Sequence, residues 1–319
     1  MRLITFRFSS ADDARDRVGV WMEDDTVADL SATGEDGFVS MQALIEGGPA
    51  ALEKARRLSA SAQRRPMEAV SLRAPVPVPV QMRDFMLFEK HVRQCARTAQ
   101  AVAARKRGAS QAEIDAIELP MAPDQWYKQP IYYKGNRFAV SGPGEDVPRP
   151  SYSRRMDYEC ELGCFLWKGG KNIKAERARE HIFGFTVFND FSARDAQGLE
   201  MLGRLGPAKG KDFDKANAMG PCLVPLEDLG DYKGLEMIVR INGVEMSRGN
   251  SGDMYWSFEQ VIEWVSRDET LHPGEFFGSG TVGDGCGLEF DRYLSDGDVV
   301  ELEIEKIGVL RNRLVPSLT

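Results

Sequence analysis

Residues 157–167, DYECELGCFLW, and residues 181–190, HIFGFTVFND, are two short strand-like runs, the first interleaving acids with apolar residues and the second nearly continuous in apolar residues with three Phe. Short runs of this kind read as strands. GLEMIVRING (234–243) and DVVELEIEKIG (298–308) repeat the theme, and glycine turns punctuate the chain between such segments. From Tyr132 onward the sequence therefore reads as short strands without the βαβ alternation of a doubly wound sheet. Its fold class is α+β and β-rich.

Before that block, RLITFRF (2–8) and RVGVWMEDDTVADL (17–30) give β-rich runs around an acidic turn at Asp24 and Asp25. Ser40 to Ala62 carries apolar residues at helical spacing, broken at Gly47, Gly48 and Pro49, which predicts two short helices. RAPVPVPV (73–80) suits an extended edge or linker, because its prolines cannot donate to a ladder. A boundary is placed near residue 70, giving an N-terminal β/α domain over 1–70 and a larger domain over 71–319. Residues 92–119 predict a helix, a break at Gly108, and a second helix from Ser110 with Glu113 in capping-box spacing. This helical insert is read as a lid over the cleft. Shorter helices are expected over Ala175–Glu180 and Ser257–Ser266.

The chain has 319 residues and a net charge of −8, so it carries no broad basic footprint for nucleic acid. The opening MRLITFRFSSADD fits neither a signal peptide nor a membrane span, which predicts a cytoplasmic protein. Cys95, Cys160, Cys164, Cys222 and Cys286 form no CxxC pair, and read as scattered reduced thiols rather than a disulfide frame or a zinc site. No GxGxxG or P-loop spacing marks a nucleotide.

Glu159 and Glu161 stand two apart in the first run, so strand alternation puts both on one face, roughly 6.6 Å apart at about 3.3 Å per residue. Such a pair is usually a solvated face. Here Cys160, Leu162, Cys164 and Leu166 make the strand look buried, and buried acids need compensation. Asp190, at the end of the second run, is placed to join them, although taken alone it, or Ser192, reads more readily as a cap of the following turn. Carboxylates of this kind suit a hard cation, Mg²⁺ or Ca²⁺, with Mn²⁺ close behind.

DYECELG, NDFSARDAQ (189–197), GKDFDKANAMGPCLVP (210–225), LHPGEFFGSGTVG (271–283) and LSDGDVVELEIEKIGVLRNRLV (294–315) together resemble, in order, the motifs of the fumarylacetoacetate hydrolase superfamily. The resemblance covers about residues 80–316. It implies a small N-terminal β-containing domain followed by a mixed β-roll or sandwich, usually as a homodimer. It also implies that Glu159, Glu161 and Asp190 bind a catalytic metal. DFMLFEKH (84–91) is similar to the stretch that supplies a fourth ligand, here Asp84, and the catalytic histidine, here His91. The resemblance points to Glu289 as the carboxylate that orients His91, with Glu89 a weaker substitute. Lys211, Arg194 and Gln197 correspond to groups that bind substrate oxygens, Tyr133 to a substrate-contacting tyrosine, and Thr281 to a hydroxyl at the substrate's far end. Two departures stand out: Lys215 replaces a threonine common in relatives, and GLEMLGR (198–204) lacks the aromatics that usually follow the glutamine.

The activity implied is hydrolysis of a carbon–carbon bond in a small acidic dicarbonyl, an acylpyruvate or β-diketo acid, plausibly from aromatic-compound breakdown. Decarboxylation or isomerisation of a 2-oxo or 2-hydroxy-dienoic diacid is the alternative enzyme chemistry. A metal-dependent binding protein without catalysis is the alternative of another class.

Overall fold

The structure is a computed structural model, and it describes residues 1–9 and 14–317. The first part of the chain contributes strands β1 (Arg2–Phe8), β2 (Arg17–Trp21), β3 (Thr26–Asp29), β4 (Arg64–Pro66) and β5 (Val70–Arg73), with helix α1 (Met41–Ser59) between β3 and β4. β6 (Gln81–Phe85) leads into α2 (Glu89–Lys106) and α3 (Gln111–Asp115). Next come β7 (Tyr132–Lys134), β8 (Val140–Ser141), β9 (Asp146–Pro148), β10 (Met156–Asp157) and β11 (Cys160–Leu166). α4 (Ala175–Ala178), β12 (Ile182–Asp190), β13 (Ser192–Ala193), α5 (Arg194–Leu202), β14 (Asn217–Pro225) and α6 (Leu226–Leu229) follow. The chain closes with β15 (Glu236–Ile241), β16 (Val244–Asn250), α7 (Phe258–Val265), β17 (Glu275–Gly278), β18 (Val299–Ile304) and β19 (Gly308–Val315).

Among the described residues the strands make a 12-stranded sheet, a 5-stranded sheet and a two-stranded pair, so the fold is α+β and strand-rich. The large sheet runs β4-β3-β2-β1-β14-β12-β11-β17-β6-β7. Every residue of β11, β12 and β14 is buried, as their apolar runs require. β18 and β19 alternate buried and more exposed residues, the pattern of a sheet with one wet face.

The boundary expected near residue 70 falls at the start of β5, which pairs with β1. β1 in turn pairs with β14, bringing Leu3 opposite Leu223. A hydrophobic cluster joins Leu3, Leu44, Ile45 and Leu52 to Phe165, Phe183, Phe188 and Phe276. Each large side chain buried there contributes about 1.5–3 kcal/mol.

The expected break in the first helical region is a kink: Gly48 sits at φ 55°, ψ −142° inside α1. Ser110 and Glu113 form the expected capping box on α3, and Ser257 and Gln260 form another on α7. The nine residues of α5, where no helix was expected, form one. Gly198 within it and the irregular GLEMLGR pattern hide the helical period. No helix among the described residues is long and apolar enough to cross a membrane.

Candidate active site

Four central strands bring the acids together. β17 pairs with β11 and β6, setting Gly278 opposite both Gly163 and Asp84. β11 and β12 are antiparallel, with Cys160 opposite Asn189. Glu159 precedes β11 and bridges to Cys286, while the Asn189 side chain accepts from its backbone N–H at 3.0 Å. The outcome is a buried quartet: one carboxylate oxygen each from Asp84, Glu159, Glu161 and Asp190 lies within 4.8 Å of the others.

Partners of the quartet are unequal. Lys211 Nζ donates to Glu159 Oε2 at 2.6 Å and also pairs with Asp190. Arg194 donates to Glu159 Oε1 at 2.7 Å and to Asp157 Oδ2 at 2.8 Å. Tyr133 donates its hydroxyl to Asp190 Oδ2 at 2.6 Å. Glu161 Oε2 accepts from the Gly280 N–H at 2.9 Å, but Glu161 Oε1 and Asp190 Oδ1 are buried atoms without a hydrogen-bond partner. Arg194 is shared with Asp157, so Lys211 and Arg194 leave at least two negative charges uncompensated.

Protonation follows that imbalance. Burial, reinforced by Asp190, pushes Asp84 up to about 8. Burial likewise pushes Asp190 up to about 6, against the pull of Lys211. Glu161 rises well above the usual carboxylate range through burial and its neighbours Asp84 and Glu159. Glu159 goes the other way, because Arg194 and Lys211 overcome its burial. Buried acids forced to hold protons, with two orphaned oxygens, fit a hard divalent cation that accepts oxygen ligands.

His91 lies on the first turn of α2, and its Nδ1 is 3.0 Å from Glu289 Oε1. A carboxylate accepts, so Nδ1 carries the hydrogen and Nε2 is left with the basic lone pair. Burial pushes the imidazole down, but hydrogen bonds to Cys286 and Glu289 prevail and hold it well above its ordinary value. Glu289 also accepts from the Cys286 N–H at 3.1 Å, which fixes its carboxyl on the 3-10 turn Gly287–Phe290. Glu89 instead accepts from the Tyr127 hydroxyl at 2.7 Å. The segment read as a lid, residues 92–119, is the remainder of α2 with α3, so it continues from the turn that carries His91.

Gln197, one helical turn beyond Arg194 on α5, accepts from Arg194 Nη1 at 2.9 Å. Thr281 is 1% exposed and its hydroxyl has no hydrogen-bond partner. Lys215, the departure from the threonine of relatives, turns to Glu145 at 3.2 Å.

Two residues that matter to this geometry were not singled out in the sequence. Asp157, two places before Glu159, accepts from Arg194 and from the Gly287 and Leu288 N–H groups at 2.7 and 2.9 Å. It ties the arginine to the turn that holds Glu289. Gly278 faces the quartet so closely that a Cβ there would collide with Asp84 Oδ1 and lie 2.9 Å from Glu161 Oε2. Asp157 stood inside a quoted motif; for Gly278 the signal was only a glycine in a strand, which often marks close approach.

A family model described as fumarylacetoacetate (FAA) hydrolase, C-terminal, matches residues 88–315. Oxaloacetate tautomerase FAHD2A, mitochondrial, of Bos taurus is 38% identical over 191 residues, 59% of this chain and 60% of that protein. The matched segment thus spans about three fifths of that relative's length. Oxaloacetate tautomerase fahd2, mitochondrial, of Xenopus laevis is 31% identical over 320 residues, 99% of this chain and 90% of that protein. Among solved structures, a probable 2-hydroxyhepta-2,4-diene-1,7-dioate isomerase from Mycobacterium abscessus matches over 100% of both chains with a TM-score of 0.74 and 26% identity. Maleylpyruvate hydrolase from Sphingobium sp. SYK-6, solved in complex with manganese and pyruvate, shares the fold at a TM-score of 0.73 and 21% identity, over 99% of this chain and 100% of that one. A match along most of the sequence and a relative aligned nearly end to end settle the lineage: the chain belongs to the fumarylacetoacetate hydrolase family.

Proposed function

We propose that this protein is a divalent-metal-dependent enzyme that interconverts the keto and enol forms of a small 2-oxo dicarboxylate of the oxaloacetate type. The observation that carries the reading is the buried acidic quartet together with a carboxylate-oriented imidazole, His91 with Glu289. Full-length similarity to an oxaloacetate tautomerase supports choosing enolisation among the chemistries such a site can run.

Asp84, Glu159, Glu161 and Asp190 would hold Mg²⁺, with Mn²⁺ or Ca²⁺ as substitutes. When bound, the cation supplies Lewis acidity to the 2-oxo group. His91 Nε2 takes the proton from the carbon between the two carbonyl groups, and Glu289 stabilises the imidazolium that results. The electron pair moves into the new C=C bond and the 2-oxo oxygen gains negative charge. Lys211, kept protonated by Asp190 and Glu159 in spite of its burial, donates a hydrogen bond to that oxygen, which takes a proton from solvent to give the enol while His91 returns its own proton to solvent. Arg194 and Gln197 bind the substrate's carboxylate oxygens. Tyr133 and Thr281 border the same substrate.

Hydrolysis of an acylpyruvate carbon–carbon bond is the second reading, favoured by the His91–Glu289 pair, since the same base can activate a water. A homodimer belongs to the proposal, supported by the exposed Leu199, Leu202 and Leu205 at and beyond the end of α5.

The test follows enol absorbance of oxaloacetate and a panel of acylpyruvates, with Mg²⁺ or Mn²⁺ and with chelator, and identifies products by mass. The expected result is metal-dependent acceleration of enol decay at unchanged substrate mass, falling about 10²–10⁴-fold in His91→Ala. Release of an acid and pyruvate would replace tautomerisation by hydrolysis, and carbon dioxide would replace it by decarboxylation. Metal binding without turnover in any arm would overturn the enzyme reading.

A further inference from the structure

Cys95 and Cys286 are 191 residues apart in sequence, yet both thiols lie beside His91. Cys95 follows His91 by one helical turn on α2, and its Sγ stands 3.6 Å from Nε2 and 3.7 Å from Nδ1. Cys286 Sγ is 3.9 Å from Nδ1. One ligand atom from each of the three residues lies within 4.8 Å of the other two. We infer that His91, Cys95 and Cys286 form a second metal site, for a borderline-soft divalent ion of the Zn²⁺ type, separate from the carboxylate quartet.

The chemistry of the donors separates the two sites. Thiolate and imidazole ligands select zinc, whereas an all-carboxylate set suits Mg²⁺, Ca²⁺ or Mn²⁺. Geometry agrees: tetrahedral zinc with bonds of about 2.3 Å to sulfur and about 2.0 Å to nitrogen sets ligand atoms roughly 3.5–3.8 Å apart. The distances from the two thiols to His91 nitrogens are close to that edge length. Zinc commonly takes three protein ligands and a water. Cys286 is fully buried and His91 nearly so, but Cys95 is partly exposed and gives the ion a way in. Binding releases the two thiol protons and leaves thiolates whose charge balances the ion.

Occupation would silence the base, so this consequence rests on the function proposed above. An ion on Nε2 uses the basic lone pair directly. An ion on Nδ1 displaces the hydrogen shared with Glu289 and leaves the ring's one proton on Nε2. By either nitrogen His91 can no longer accept a proton, while the carboxylate quartet stays loaded.

Cobalt(II), a spectroscopic stand-in for zinc, tests the site without relying on activity. Added to the Mg²⁺-loaded protein, it is expected to give the intense near-ultraviolet band of thiolate ligation, and Zn²⁺ should bleach that band. Cys95→Ser, at a partly exposed position that spares the core, should weaken binding at least about tenfold, since the loss of an outer partner alone commonly costs that much. Cys286→Ser should do the same, with circular dichroism confirming the fold, while Asp190→Asn should leave the band intact. No band in the wild type, or a band that survives in both cysteine variants, would overturn the site. In a turnover assay, micromolar Zn²⁺ should inhibit the wild type and spare Cys95→Ser. If no substrate turns over, the proposed activity falls and the cobalt result still decides the site.

Discussion

Glu289 and His91 stand 198 positions apart in sequence and 3.0 Å apart in space. The carboxylate holds the imidazole in one tautomer and raises its basicity, and the two effects can be read separately. A base that must be neutral to work gains activity as pH rises through its pKa, and here that value lies well above 6.5. Glu289→Gln keeps a hydrogen-bonding group but removes the charge. The rising limb of kcat/KM should therefore move to lower pH while the plateau drops, and a limb that stays put would mean that Glu289 does not tune the base. Gly278 supplies a test of the quartet by volume alone. Gly278→Ala should cost at least about tenfold in Mg²⁺ or Mn²⁺ affinity, by titration calorimetry, because the methyl must push Asp84 and Glu161 apart.

Among the elements, α1 is joined to the rest of the molecule at its kink. A Cβ on Gly48 would run into the Trp167 ring just beyond β11, and φ 55° is itself unfavourable for a residue with a side chain. Gly48→Ala should destabilise the protein by about 1–3 kcal/mol, seen as a lower midpoint in urea. The break at Gly47, Gly48 and Pro49 was legible in the sequence because glycine and proline interrupt a helical period wherever they fall. So were the central strands, whose apolar runs need only burial to explain them. Helix α5 was not, since a nine-residue helix with Gly198 and a polar first turn has little periodicity to show. The acids of ExE and NDxSxRD were legible as candidates through spacing and motif. Their grouping with Asp84 was expected from the resemblance of DFMLFEKH to a family stretch, and spacing alone does not give it, because the convergence depends on β17 lying between β11 and β6. The gathering of Cys95 and Cys286 at His91 escaped for the same reason: no local spacing encodes a contact made across the fold.

For the whole molecule, the quartet couples metal to protons and to stability. Asp84 at about 8 and Asp190 at about 6 are raised above the ordinary carboxylate value near 4. Groups raised in this way support the metal-free fold at low pH, and that support is lost as pH climbs through their folded pKa values. A bound cation needs the ionised forms, so metal uptake should expel protons between about pH 5 and 8. The gap in Tm between loaded and chelator-treated protein should widen across that window. A gap that narrows would refute the coupling, and proton release can be read directly from buffers of different ionisation enthalpy.

The pairing of β1 with β14 reaches further than the N-terminal strands themselves. Leu3 and its neighbours cover Phe183, Phe188 and Leu223, on strands that also position Asp190. A fragment that begins after β5 would keep β6 and Asp84 but lose that cover, baring aromatic side chains along a newly opened strand edge. Such a surface recruits further copies of itself. The strands of this first part thus serve as a shield for the sheet edge beside the acids, and solubility is what their removal should forfeit first.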